Sequence, residues 1–182
     1  GRSINLALSE RGINALKYAG VYTKEFESQL IPMYGRTIHD VSGEVVFQPY
    51  SNNNNHYINS VSRLSINKML IETAEKTNKV DINFNMTCSS IDLKENAMFF
   101  NEKVITTNNP IFGADGYKSK VAKEIAKCNH IDTEFIDIEH SYKELTILPQ
   151  NNEFKLDPNS LHIWPRRDMM IIALPNTDKS FT

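Results

Sequence analysis

The stretch Ile111-Phe112-Gly113-Ala114-Asp115-Gly116-Tyr117-Lys118-Ser119-Lys120 decides how this chain reads. A short apolar run enters it, a Gly-x-Asp-Gly turn interrupts, and Val121-Ala122-Lys123-Glu124-Ile125-Ala126-Lys127 leaves with helical character. Strand, tight turn and helix in that order make the unit in which α/β proteins hold ligands at the strand's carboxyl end. Gly113 and Gly116 lack a Cβ, which suits either close approach of a ligand or positive φ. Asp115 is an acceptor for a hydroxyl or for the turn itself. An ordinary βα loop, with Asp115 or Ser119 capping the helix, fits the same residues.

Before this stretch the chain alternates helical and strand-like segments. Ser9 is placed to cap a helix carrying Ile13, Leu16 and Tyr18 and closed by Gly20. Val21 to Leu30 is a second amphipathic segment. Met33 to His39 and Glu44 to Tyr50 read as strands joined by a turn at Asp40 to Gly43, and residues 52–55 as a polar hairpin tip. A strand at His56 to Val61 runs into a helix from about Arg63 to Lys76. Short strands are then expected at Val80 to Phe84, Met86 to Ile91, Ala97 to Phe100 and Val104 to Thr107. Beyond the opening stretch, Asn129 to His140 reads as a linker. Tyr142 to Leu148, Leu161 to Trp164 and Met169 to Leu174 follow as strands. An α/β portion, residues 1–135, is thus expected to give way to a β-rich portion, 136–182.

The bulk properties narrow the class. The 182 residues are 40% hydrophobic and 23% charged, near the globular norm. A net charge of -2 gives no electrostatic reason to expect nucleic acid. Cys88 and Cys128 lack metal spacing and form no disulfide framework, which favours a reducing compartment. No apolar run approaches the roughly 18 residues that span a bilayer. The chain opens at Gly1 and closes just after an apolar strand-like run, so it is expected to be a piece of a larger protein.

Candidate chemistry is sparse. The five histidines, at 39, 56, 130, 140 and 162, show no His-x-x-x-His pair, so no metal site is expected. No serine sits in a nucleophile elbow and no Cys/His pair stands out, so no catalytic side chain is assigned. The seven glycines cannot form Gly-x-Gly-x-x-Gly or a P-loop, so a dinucleotide's main phosphate cradle is not among them. Arg36 and Tyr50, flanking the first strand pair, could grip a carboxylate by a guanidinium fork and a hydroxyl. An exposed arginine and a half-buried strand tyrosine is the plainer reading. Arg63 opens a helix, where a cation opposes the dipole, and so suits a phosphate or carbonyl nearby. His162 and Trp164 alternate with Leu161 and Ile163, as sheet packing requires.

Several strings go beyond pattern. Gly1-Arg-Ser-Ile-Asn-Leu-Ala-Leu-Ser9, Ile31-Pro-Met33, Ser60-Val-Ser-Arg63, Gly113-Ala-Asp-Gly116, Glu144-Leu-Thr-Ile147, Leu161-His-Ile-Trp-Pro-Arg166 and Ala173-Leu-Pro-Asn176 resemble the kynurenine 3-monooxygenase family. They fall in that family's order with nearly its spacing, within the wider class of FAD-dependent aromatic hydroxylases. The resemblance covers the whole chain but well under half of a family member. Absent are the amino-terminal Gly-x-Gly-x-x-Gly segment and the carboxyl-terminal part, with its membrane-anchoring helices.

The resemblance implies an α/β fold, part of a Rossmann-like FAD-binding domain followed by part of a β-sheet substrate domain. It implies hydroxylation of L-kynurenine with O₂, FAD and NADPH, in tryptophan catabolism, at the cytosolic face of the mitochondrial outer membrane. Arg36 and Tyr50 match residues that hold the kynurenine carboxylate, and Leu161 and Ile172 match residues lining the ring pocket. Ala7, Arg63 and Cys88, the last through its backbone, fall where the family touches FAD. Asp115 and Gly116 belong to a motif near the FAD and NADPH phosphates. That motif usually continues to Ser-x-Val-Arg, whereas here Ser119-Lys120-Val121 precedes Ala122, leaving Lys120 or Lys123 to substitute. A flavin hydroxylase of another aromatic acid, and a fragment unable to bind FAD alone, are the alternatives.

Overall fold

The computed structural model describes residues 4–53 and 55–182. Gly1 to Ser3 of the opening string and Asn54 of the expected hairpin tip lie outside the described residues. The chain forms two compact units, one of Gly1–Val80 with Tyr142–Thr182 and one of Asp81–Ser141. The described residues make a mixed α/β protein with three sheets.

The first unit opens with β1 (Asn5–Leu8), α1 (Glu10–Tyr18), α2 (Lys24–Glu27), β2 (Ile31–Met33), β3 (Gly35–His39) and β4 (Val45–Pro49). It continues with β5 (Ile58–Ser62) and α3 (Arg63–Lys76). Local chemistry sets several ends. The Thr23 hydroxyl accepts from the Phe26 N–H at 3.1 Å, which caps α2 and drives Phe26 into the core at 1% exposure. The turn between β3 and β4 is tied by Asp40, whose carboxylate accepts the Ser42 N–H at 2.8 Å. Ser62 ends β5 and caps α3 through the Ser65 N–H.

The second unit holds β6 (Cys88–Asp92), β7 (Ala97–Phe100), β8 (Lys103–Thr106) and α4 (Lys120–Cys128). It is an antiparallel meander, with α4 packed on β6 and burying Val121 and Ala126. The chain then rejoins the first unit through β9 (Ser160–Arg166) and β10 (Met169–Ala173).

The first unit contains two sheets, β1-β5-β2 and β10-β9-β3-β4. Every pairing of named strands is antiparallel except β3 with β9, which run parallel with Arg36 beside Leu161 and Thr37 beside His162. Buried polar bonds join the early and late segments. Thr37 and Ser160 share a hydroxyl bond of 2.6 Å, and Ser60 donates to the Pro175 carbonyl at 2.8 Å. The Asn5 amide donates to that same carbonyl at 2.9 Å and to the Ser60 hydroxyl at 3.0 Å. Residues 142–182 therefore fold with residues 1–80, and the sequence boundary expected near 135 falls within the second unit.

Three expected strands are absent. Val80 to Phe84 forms none; both ends are exposed, and Asn85 turns the chain at φ 58°. Tyr142 to Leu148 makes only a single bridge, Ile147 to Phe181. Ile111 and Phe112, the apolar entry to the Gly-x-Asp-Gly turn, form no strand either, and Phe112 is 88% exposed. Val80 to Phe84 and Ile111–Phe112 have the side-chain pattern of a strand without a ladder partner, the 142–148 run has one only at Ile147, and pattern alone does not make a sheet.

Candidate functional site

The site is built on the four-stranded sheet. Side chains alternate along a strand, and residues paired across a ladder share a face. Arg36 pairs with Gln48 on β4 and with Leu161 on β9, while Ile163 pairs with Ile38 and with Ile172. Arg36, Leu161 and Ile172 thus lie on one face. Tyr50, two residues past Gln48, continues that face beyond the end of β4.

The other face carries Thr37, Ser160, His162 and Ala173, all at or below 8% exposure. One face is core. The Arg36 face is half open: Leu161 is half-buried, and Val46, Met170 and Ile172 are exposed at 42%, 63% and 47%. An apolar surface with a cation at its edge suits a ring that ends in a carboxylate.

The cation is well placed for that. The Arg36 guanidinium carbon lies 5.7 Å from the centroid of the Tyr50 ring, a cation–π contact that leaves the N–H fork free. Among the described residues it has no carboxylate within ion-pair distance. The Tyr50 N–H donates to the Tyr34 carbonyl at 2.9 Å, which holds the residue in line with β4. Burial raises the Tyr50 phenol above its ordinary value, and the Arg36 charge acts the other way. The hydroxyl therefore stays protonated and able to donate at neutral pH.

Ala7 lies on β1, and Arg63 opens α3 directly after β5. Ala7 is an exposed small side chain opposite Ser60, and the Arg63 N–H donates to the Ile4 carbonyl at 3.3 Å. The two are about three residue steps apart, roughly 10 Å along the strand. Arg63 is exposed, and no ion pair or side-chain hydrogen bond engages it among the described residues.

The remaining candidates belong to the second unit. Cys88 begins β6 half-buried, with Sγ 3.5 Å from the Ser90 carbonyl oxygen at an irregularity in the ladder. Asp115 is committed to α4. The Ser119 hydroxyl donates to one carboxylate oxygen at 2.5 Å, the Lys120 N–H donates to the other at 2.6 Å, and Ser119 caps the Ala122 N–H at 2.9 Å. The Ser119 bond is the largest of the effects that lower the Asp115 pKa. The capping role given as an alternative reading of this turn is the one observed, for Asp115 and Ser119 together. Gly116 stands at φ 78°, and a Cβ on Gly113 would lie 2.6 Å from Cβ of Val121. One glycine gives the turn its hand and the other lets it close on the helix.

Sequence reading passed over two features of this sheet. A Cβ on Gly35 would strike the Gln48 carbonyl oxygen and lie 2.7 Å from the Phe47 ring. On the core face, His39 stacks on Trp164 with centroids 4.2 Å apart and hydrogen-bonds His162 at 2.9 Å. Only the odd spacing of His39 from Arg36 hinted at the latter, since it puts them on opposite faces. An apolar cavity of about 280 Å³, lined by Leu145, Ile147, Trp164, Ile171, Ile172 and Phe181 among others, does not reach Arg36 or Tyr50.

No protein-family model matches the chain. Curated proteins do, from end to end of it. It is 43% identical over 183 residues to the kynurenine 3-monooxygenase of Dictyostelium discoideum, covering all of this chain and 40% of that protein. It is 41% identical over 193 residues to that of Sus scrofa, covering 39% of it. With the enzyme of Myxococcus xanthus it shares 37% over 188 residues and 40% of the length. Along its entire length, then, this chain resembles kynurenine 3-monooxygenases, and it spans about 40% of these relatives.

Proposed function

We propose that the chain is the part of a kynurenine 3-monooxygenase that grips the substrate and lines one side of its flavin site. The observation that carries this is the shared sheet face, with Arg36 and Tyr50 in contact at its edge and Leu161 and Ile172 along it. On this reading the Arg36 fork and the Tyr50 hydroxyl bind the carboxylate of L-kynurenine. Leu161 and Ile172 lie against its aromatic ring and exclude water. Holding the amino-acid end fixes where the ring carbon beside the amine points, which is catalysis by orientation. No nucleophile or general base is required of these residues.

Ala7 and Arg63 fit an FAD. Arg63 offers an uncompensated guanidinium, and Ala7 leaves room beside the strand for a flat group. Once bound, and with NADPH as reductant, FAD supplies the activation of O₂. In the second unit, Cys88 would contribute its backbone and Gly116 the shape of its turn. Asp115, whose oxygens already serve α4, would act by holding that turn. Lys120 and Lys123 are the cations nearest in sequence to the position where Ala122 replaces the motif's arginine. The same reading makes these segments part of a Rossmann-like FAD-binding domain and a substrate domain. It also implies a step in tryptophan catabolism at the mitochondrial outer membrane.

Arg36→Ala in the complete protein tests the assignment. Losing a charge-assisted bidentate pair costs about 2 kcal/mol, so KM for L-kynurenine is expected to rise roughly 30-fold with a smaller change in kcat. An unchanged KM overturns it. A carboxylate grip with an apolar wall also suits other aromatic acids. Substrate-stimulated NADPH oxidation measured across a panel of such acids separates the two readings.

A further inference from the structure

The core face of the β3–β9 pair carries a histidine pair that the proposed reaction does not use. His39 Nε2 lies 2.9 Å from His162 Nδ1, and His162 Nε2 lies 2.9 Å from the Asp157 carbonyl oxygen. A carbonyl only accepts, so His162 carries its hydrogen on Nε2. Its Nδ1 is therefore the acceptor, and His39 donates from Nε2. Among the described residues, the remaining ring nitrogen, His39 Nδ1, has no hydrogen-bond partner. His162 is 3% exposed, with the edge of the Phe181 ring against it at 5.7 Å.

We propose that this pair is a proton-sensitive clasp between β3 and β9. One proton, on His39 Nδ1, leaves the ring-to-ring bond intact. A second, on His162 Nδ1, sets two N–H donors against each other and opens the parallel pair that brings Arg36 beside Leu161. The clasp does not depend on the flavin reading, because it follows from the strand pairing alone.

The charges around the pair act in one direction. From β9, Arg166 donates to the His39 carbonyl at 3.1 Å and brings a positive charge to it. Asp40 follows His39, but its carboxylate accepts the Ser42 N–H and lies within the influence of Arg166. Asp157 turns its carboxylate to the Asn159 N–H at 2.9 Å, leaving only its carbonyl to His162. From β4, His39 faces Val45, and from β10, His162 faces Ala173, neither charged. Burial first, then His162 and Arg166, hold the His39 pKa below its ordinary value. In the window from about 6.5 down to that lowered value, the unfolded chain binds more protons than the folded one, so stability is lost as pH falls.

Trp164 is the only tryptophan and reports on the pair, because a cation formed on the stacked His39 ring alters its emission. Long-range ¹H–¹⁵N spectra of the full chain at about pH 7.5 are expected to show both rings as Nε2–H. On acidification, Trp164 emission should change in a step below about pH 6.5, followed by loss of the folded signal. In His39→Phe, which keeps the stack but takes no proton, the emission step should vanish. In His162→Asn, whose amide oxygen accepts from His39 but does not protonate, the step should remain and the loss of fold should shift to lower pH. Three results would each overturn the clasp: a hydrogen on His162 Nδ1 in the unaltered chain, an unchanged step in His39→Phe, or an unshifted acid transition in His162→Asn. The tautomer spectrum alone, without any variant, is able to overturn the clasp.

Discussion

The proposed carboxylate grip needs a free guanidinium fork, and among the described residues no carboxylate lies within ion-pair distance of Arg36. Its contact with the face of Tyr50 fixes the side chain without using its N–H groups. Arg36→Lys keeps the charge but loses the fork, so KM is expected to rise by a smaller factor than in Arg36→Ala. Equal KM values for the Arg36→Lys variant and the parent would show that charge alone suffices. Gly35, the next residue back, is under a different constraint, one of space. An added Cβ meets the Gln48 carbonyl oxygen, which is backbone and cannot swing away, as well as the Phe47 ring. Gly35→Ala is expected to lower stability by about 1–3 kcal/mol, the usual range for overpacking, read from urea unfolding monitored at Trp164. An unchanged midpoint would mean that the β3–β4 pair has slack there.

Among the elements, α4 is the one whose start depends most on side chains. Ser119 accepts the Ala122 N–H while donating to Asp115, and Asp115 takes the Lys120 N–H. Ser119→Ala removes the cap and is expected to cost about 1 kcal/mol, with earlier amide exchange in the first turn of α4 than elsewhere in the helix. Asp115 adds a pH dependence. Its pKa is lowered in the folded state, so its contribution is complete above the ordinary carboxylate value of about 3.9 and is lost as pH falls through the lowered value. Amide exchange of α4 followed below about pH 4 should accelerate in the parent but not further in Asp115→Asn.

At the scale of the whole molecule, residues 1–80 and 142–182 form one unit although a separate unit lies between them in sequence. The connecting residues 131–141 contain no helix or strand, and Phe135, Ile136 and Ile138 are at least 77% exposed. A protease site introduced at residues 133–138 should be cut readily. The two pieces should then elute together in native size exclusion and separate in denaturant, held by β3–β9 pairing and the bonds at Pro175. Separation without denaturant would contradict the parallel pair.

The periodicity of the sequence was enough for the helices at Ser9, Arg63 and Val121, and for the hairpin through Asp40 to Gly43. Those elements rest on interactions within a few residues: serine hydroxyls cap the helices at Arg63 and Val121. The Ser9 side chain expected to cap the first helix makes no capping hydrogen bond, so that helix follows from spacing alone. The ordered strings likewise carried the resemblance and the names of the candidate residues. What they left open was which strand-like runs would find partners. Val80 to Phe84 and Ile111–Phe112 have the pattern of strands but form none among the described residues, because a strand exists only through its neighbour's backbone. The tertiary structure alone decided that β3 lies parallel to β9, bonding Thr37 to Ser160 across 123 positions of sequence. That register put Arg36 beside Leu161 on the open face and brought His39 within hydrogen-bond reach of His162 on the closed one. Its choice depends on long-range packing of one buried face, which no local period encodes.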